Sequence, residues 1–331
     1  MDAGEAQHFS VVRHLQSTTR TIPATLLRHE KHQGHLIDTV QTTIGMPWTQ
    51  SIVPTQELTF MPFWMHQMDF MKSHLKDLQA SPATNKAGTR QFSLSEGDNV
   101  RIANLCFSSS HFRKIRMTYY DAGPQVQVFN SLWYPAAEYN LPVLGIDLLQ
   151  FNGGKKHLAV MDFQPIHESQ EGHAVPNYEE LLLKPIRDQY PSLQGKMSSR
   201  FYDENQFFSK AMLFARFQDA SIVTQDVMPA FEQYLDAYLT LVHSTDPSVD
   251  HAELVLDRQR AYDAYSAQRD PALHMFKAKF GETWADEFVH EFLFDQSRWG
   301  KRKEGTRPPM SCTRGMARVQ VLRRSRNTIN K

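Results

Sequence analysis

Asp147 is the residue whose setting most suggests chemistry. It stands in the run Val143–Phe151. If that run is a strand, side chains alternate, and residues 143, 145, 147, 149 and 151 share a face. They are Val, Gly, Asp, Leu and Phe, so a single carboxylate interrupts an apolar surface. Gln125–Tyr134 repeats the pattern, with Asn130 polar among Val126, Val128, Leu132 and Tyr134. If both faces line one cavity, desolvation raises the pKa of Asp147 and keeps the carboxyl protonated, ready to donate. The competing reading is an edge-strand Asp in water, or one satisfied by a backbone amide. Asp162, beside Val160, is placed similarly, but its strand ends soon after, at Pro165. Asp270 precedes Pro271 and a helix-like run, which reads as an N-cap with Pro in the first turn.

Other candidates are weaker. Gly153–Gly154 before Lys155–Lys156 reads as a hairpin turn rather than a phosphate cradle. His29, His32 and His35 are spaced by three, yet Gly34 and polar neighbours favour a loop, and neither Cys nor carboxylate completes a zinc set. No Gly-rich phosphate loop, nucleophile elbow or paired Cys is present.

The elements that must hold these residues change period twice. Glu57–Ala80 carries apolar residues at three and four, and Pro62 sets the start of the helix proper. Its Met and aromatic stripe reads as core. Strands are expected at Ile102–Phe107, Phe112–Tyr120, Gln125–Tyr134, Val143–Phe151 and His157–Ile166. The turns between them are too short for crossover helices, so the strands pair antiparallel. After Asn177 a helical period returns, over Asn177–Gln189, Glu204–Arg216, Thr224–His243, Ser248–Gln268, Pro271–Phe280 and Glu282–Phe294. Strands between helical blocks predict an α/β fold, a sheet covered by helices on its faces.

Composition bounds the rest. The 331 residues, 41% hydrophobic and 22% charged, suffice for a sizeable core. No stretch approaches the roughly 18 apolar residues of a membrane span. Cys106 and Cys312 make neither a disulfide framework nor a metal cluster, which favours a reducing compartment. Lys and Arg number 36, as do Asp and Glu, which excludes a strongly basic nucleic-acid binder. The balance is uneven: Lys301–Lys331 holds ten bases and one acid, leaving 26 bases and 35 acids before it. Residues 1–50 read as a partly irregular extension, 51–296 as one domain, and 297–331 as a basic, disordered tail.

The same residues resemble a known family, the ferredoxin-dependent bilin reductases. The resemblance runs in order through Phe112–Arg116 (FRKIR), Val128–Pro135 (VFNSLWYP), Tyr139–Gln150 (YNLPVLGIDLLQ), Ala159–Pro165 (AVMDFQP), Asn205–Arg216, Tyr265–Pro271 (YSAQRDP) and His290–Asp295 (HEFLFD). VFNS before an aromatic and Pro, GIDLL and DFQP are most similar to the branch that reduces biliverdin to 15,16-dihydrobiliverdin.

The resemblance implies a three-layer α/β/α sandwich with a central antiparallel sheet, no bound metal or flavin, and electrons from a reduced 2Fe–2S ferredoxin. It implies biliverdin IXα as substrate, radical intermediates, and Asp147 and Asp270 as the catalytic acids. Asn130 stands where the phycocyanobilin-forming branch has His, and Thr118 where it has Glu, which argues against that branch. Arg216, then Arg116, are expected to bind the propionates. Lys155 and Lys156, with Arg113 and Lys114, are expected to dock acidic ferredoxin. A monomer in a plastid stroma or cyanobacterial cytoplasm, handing its product to a second bilin reductase, completes the expectation. An A-ring or four-electron reductase, and a non-catalytic bilin carrier, are the alternatives.

Overall fold

The computed structural model describes residues 47–197, 203 and 205–299. The spaced histidines and the basic tail lie outside the described residues. Helix α1 (Met61–His74) begins beside Pro62, which occupies its first turn, and buries Phe63, Trp64, Met68 and Met71. Its Met and aromatic stripe is therefore core. Strands β1 (Gln79–Ser81) and β2 (Leu94–Gly97) both pair with β3 (Val100–Ser108). From β3 the sheet runs through β4 (Phe112–Asp121), β5 (Val126–Pro135), β6 (Val143–Phe151), β7 (Lys156–Gln164) and β8 (Leu213–Phe217), all neighbours antiparallel. The β6–β7 turn takes positive φ at Asn152 (52°), Gly153 (65°) and Gly154 (83°), which explains the two glycines.

Period-2 alternation splits the core into two. Met117, Phe129, Ile146, Met161 and Leu213 face one side and pack with α1, α2 (Lys184–Gln189) and α3 (Met228–His243). Ile102, Tyr120, Leu132, Tyr134 and Val143 face the other, under α4 (Ala252–Arg269), α5 (Ala272–Phe280), α6 (Glu282–Glu287) and the π-helical turn Phe288–Leu293 that continues it. The sheet thus lies between two helical sets, as expected.

Two expectations fail. Over the expected helix Glu204–Arg216 the described residues form no helix: the last four belong to β8, with Leu213 and Ala215 on one core and Phe214 and Arg216 on the opposite face. The run is apolar in both phases, so it supports strand alternation once β7 offers a free edge. The second failure concerns charge. Arg113 and Lys114 do not form an exposed patch with Lys155 and Lys156. Lys114 pairs with Tyr134 at one end of β4–β5, whereas Lys156 pairs with Phe151, itself opposite Val126, at the far end. Eight residues of β5 separate these ends, about 25 Å.

Moreover, Lys114 is buried. Its Nζ donates to Asp295 Oδ1 at 2.7 Å and to the Phe292 carbonyl. Arg113 lies 3.5 Å from Asp295 and 3.9 Å from Asp263, with its guanidinium over the Tyr134 ring. Asp263 accepts from Tyr134 Oη at 2.8 Å and from the Gln296 amide at 2.9 Å. Despite burial, the two cations hold the Asp295 carboxyl well below the ordinary range. This ion cluster ties β4 to α4 and to the end of the last helical turn.

Removing one member of a buried pair strands the other. Lys114→Met is expected to lower stability by about 3 kcal/mol, read as a lower urea midpoint with an unchanged slope. A midpoint equal to wild type would show that the cluster adds nothing.

Candidate functional site

Register assembles the site. Asn104, Thr118, Asn130, Asp147, Val160 and Phe214 form one continuous cross-strand row on the α4–α5 side of the sheet. The Asn130 amide donates to Asp147 Oδ1 at 3.1 Å, and Arg116 Nη1 donates to Asn130 Oδ1 at 2.6 Å. A three-member chain, Arg116–Asn130–Asp147, therefore crosses β4, β5 and β6. Thr118 turns the other way, donating to Asn104 Oδ1 at 2.7 Å.

The row marks a change in cover. On its β6–β7 turn side, Val126, Val128, Leu149, Phe151 and Leu158 are all half-buried. On its other side, Leu132, Gly145 and Asp162 are fully buried. Asp147 sits on the last uncovered row. Helix α4 ends at Arg269, α5 packs Phe276 and Phe280 on Tyr120, and the half-buried apolar residues of β5, β6 and β7 make a strip from Asp147 towards the turn that can serve as an apolar slot. Its floor, Val126, Val128, Leu149, Phe151 and Leu158, is apolar, suited to a planar apolar ligand.

Asp270 joins Asp147 here. Both retain some accessible surface, yet protein crowds both closely enough to penalise their charge. Burial raises the Asp147 carboxyl to about 7; the Asn130 hydrogen bond and the Arg116 charge oppose that rise, and Asp270 adds to it. Burial likewise raises Asp270, against the Ala272 amide and Arg116. The expected cap is present as well: the Ala272 N–H donates to Asp270 Oδ1 at 2.8 Å. Asp270 thus caps α5 with one oxygen and faces Asp147 electrostatically. A raised pair of carboxyls in one slot is an arrangement for proton donation near neutral pH.

The remaining expected residues divide. Arg216 lies opposite Leu158, one row beyond Val160, exposed, with its guanidinium 5.3 Å from the Phe214 ring centre. Among the described residues it has no ion-pair partner. Lys155 and Lys156 are exposed at the same end of the face. Arg116 is not at the rim: it is 2% exposed, one row inside Asp147, and its Nε has no partner. Asp162 is raised to about 7 by burial, but Ser209 donates to it through both its amide (2.8 Å) and its hydroxyl. It anchors the segment entering β8.

Among the described residues no group of three or more His, Cys, Asp or Glu could hold a metal ion. A hollow of about 380 Å³ lies elsewhere, lined by Trp48, Leu58, Met61 and Met65, with Glu57 its single ionisable residue. It lacks the acids of the slot. Sequence reading missed Tyr262 and Gln164, which are hydrogen-bonded to each other beside Gly145; Tyr262 carries no motif that marks it.

A family model described as ferredoxin-dependent bilin reductase matches residues 69–295. A 15,16-dihydrobiliverdin:ferredoxin oxidoreductase of Gloeobacter violaceus is 41% identical over 242 residues, 72% of this chain and 96% of that one. A phycoerythrobilin:ferredoxin oxidoreductase of Nostoc punctiforme is 32% identical over 247 residues, 72% of this chain and 94% of that one. Tomato phytochromobilin synthase, solved with biliverdin, shares the fold, with a TM-score of 0.61 at 21% identity over 72% of this chain and 84% of that one.

The folded pKa of Asp147 lies above the ordinary 3.8, so the folded chain binds this proton more tightly than the unfolded chain. Its contribution to stability therefore falls as pH rises from 3.8 to about 7. Asp147→Asn removes that loss. The variant is expected to melt near wild type at pH 4 and above it at pH 8, by up to about 4 kcal/mol. Equal shifts at both pH values would mean that Asp147 is already charged in the folded state.

Proposed function

The chain belongs to the ferredoxin-dependent bilin reductase family, and from that premise we propose that it reduces biliverdin IXα at the C15–C16 methine bridge to 15,16-dihydrobiliverdin. The observation that carries the reading is the Asp147–Asp270 pair, both raised by burial and Asp147 to about 7, beside an apolar slot. The choice of bond follows the higher identity to the 15,16-dihydrobiliverdin enzyme, 41% against 32% for the phycoerythrobilin one.

The reaction adds two electrons and two protons to one double bond. Ferredoxin delivers electrons singly, so a bilin radical forms between them. Each added electron makes the tetrapyrrole more basic, and a neutral carboxyl beside the bridge can protonate it. Asp147 takes that role. Arg116 fixes Asn130, and Asn130 in turn holds one Asp147 oxygen, leaving the other directed to the substrate. After donation the carboxylate is stabilised by the same chain. Asp270, already spending one oxygen on the α5 cap, is the second carboxyl, with the smaller or conditional share. The apolar floor, covered by the bound bilin, shields the radical from side reactions.

Arg216, exposed and without a described ion pair, suits a propionate at the rim. Arg116 serves the acid chain instead. Lys155 and Lys156, at the open end, are the proposed contact for acidic ferredoxin, where steering speeds encounter and weakens with salt. The product carries shortened conjugation and serves as substrate for a second bilin reductase.

Two outcomes test this. With biliverdin IXα and a ferredoxin-reducing system under low oxygen, wild type is expected to give a blue-shifted two-electron product that co-elutes with 15,16-dihydrobiliverdin. Asp147→Asn is expected to bind biliverdin and accumulate a radical signal, with product formation down by at least about 100-fold. Spectral binding without any turnover by wild type would identify a carrier, and phycoerythrobilin from biliverdin a four-electron enzyme. Separately, replacing Lys155 and Lys156 with Glu should raise KM for ferredoxin about tenfold at low salt, and less at high salt. An unchanged KM would move the docking site elsewhere.

A further inference from the structure

The acids supply protons without naming the bond, so something else must set which carbon meets Asp147. We propose that Gly145, Gln164 and Tyr262 form an end wall that limits how far the bilin enters the slot, and thereby determine which double bond is reduced. This rests on the bilin-reductase reading above.

Gly145 lies two residues before Asp147 on the same strand face, in the row Arg116–Leu132–Gly145–Asp162. That row is where the slot's half-buried floor turns fully buried. The Gln164 side chain, reaching over from β7, occupies the space a side chain at 145 would fill. A Cβ built on Gly145 would meet Gln164 Oε1 at 2.6 Å, Cδ at 2.7 Å and Nε2 at 2.9 Å. The amide therefore lies flat over the Gly145 backbone, and only glycine permits it. Tyr262 Oη, from α4, donates to Gln164 Oε1 and holds the amide down. Tyr262 is itself wedged edge-on between Tyr134 and Phe207, with ring centres 5.9 and 5.5 Å away. Phe207 adopts φ 63°, a conformation rare for a bulky residue, and two residues on Ser209 is anchored to Asp162. The wall is thus braced from three elements.

A flat molecule entering from the Lys156–Arg216 end stops against this amide. The stop lies one residue pair, about 7 Å, beyond Asp147. That distance selects which methine bridge lies beside the carboxyl. A displaced wall moves the whole tetrapyrrole relative to a fixed acid.

The experiment is a double-mutant cycle on the full chain: Gly145→Ala, Gln164→Ala, and both together. Biliverdin IXα absorption and circular dichroism are recorded before reduction, and products are separated after it. Gly145→Ala should push the amide, alter the bound spectrum and cut 15,16-dihydrobiliverdin yield by about 100-fold, the scale of a misplacement near 1 Å. Gln164→Ala should deepen the slot and yield a mixture of reduced isomers. In the Gln164→Ala background, adding Gly145→Ala should change neither spectrum nor product ratio, because the clash partner is gone. Tyr262→Phe, which keeps shape and fold, should shift the product ratio in the direction of Gln164→Ala. Wild-type spectra and products in both single variants would overturn the wall, as would a Gly145→Ala effect of equal size in the Gln164→Ala background. Wild type that binds no biliverdin would overturn the functional reading, and this inference with it. Wild-type turnover to another isomer would leave the cycle intact and change only the bond assigned.

Discussion

Removing the Asp147 carboxyl from water is the constraint around which this structure is arranged. An ionised carboxylate in such a place is costly, whereas a protonated one is tolerated. The fold therefore applies the penalty to the charge and not to the residue. It permits a single strong concession, the Asn130 amide on one oxygen, itself oriented by Arg116. Arg116 reaches the acid through Asn130 and makes no direct ion pair with it. A guanidinium bound straight to the carboxyl would drag its pKa far down, as Lys114 and Arg113 do to Asp295. Interposing an uncharged amide retains direction and attenuates the field. The same sheet thus holds one aspartate firmly ionised and another poised near 7, by changing what lies between acid and cation.

Such control of distance needs a rigid frame. An antiparallel sheet supplies one, because register fixes each cross-strand neighbour and a slip of one residue would send Asp147 to the opposite core. The ion cluster on Arg113 and Lys114 clamps α4 and the last helical turn at one end of the face. At the other end Val126, Val128, Leu149, Phe151 and Leu158 are only half-buried. Stability and access are in this way assigned to opposite ends of the same strands.

How much of this was legible in the sequence depended on range. Strands β3 to β7 could be read because each is bounded by local turn chemistry, such as Asn152–Gly153–Gly154. The faces of Asp147 and Asn130 followed from alternation alone. β8 could not be read, since Phe207, Phe208, Met212, Leu213 and Phe214 satisfy either period and only the free edge of β7 decides. Arg113 and Lys114 looked like surface charge because the acid that neutralises Lys114 lies 181 residues away. The same holds for Gln164 and Tyr262, which meet across 98 residues. Asp270 was legible as a cap because Pro271 follows it directly, and the Ala272 amide does donate to it.

Specificity in such a site must come from position, because electrons and protons are indifferent to which conjugated bond receives them. An acid on a strand cannot be moved by more than a fraction of an ångström without breaking register, so it is a poor variable. The substrate's depth is a better one. It is set by small groups at the edges of the slot, where a residue can change without disturbing the sheet. Gly145 is the exception: its missing side chain is part of the wall, and the wall is one residue pair from the acid. Chemistry and selectivity therefore sit on the same strand, two residues apart.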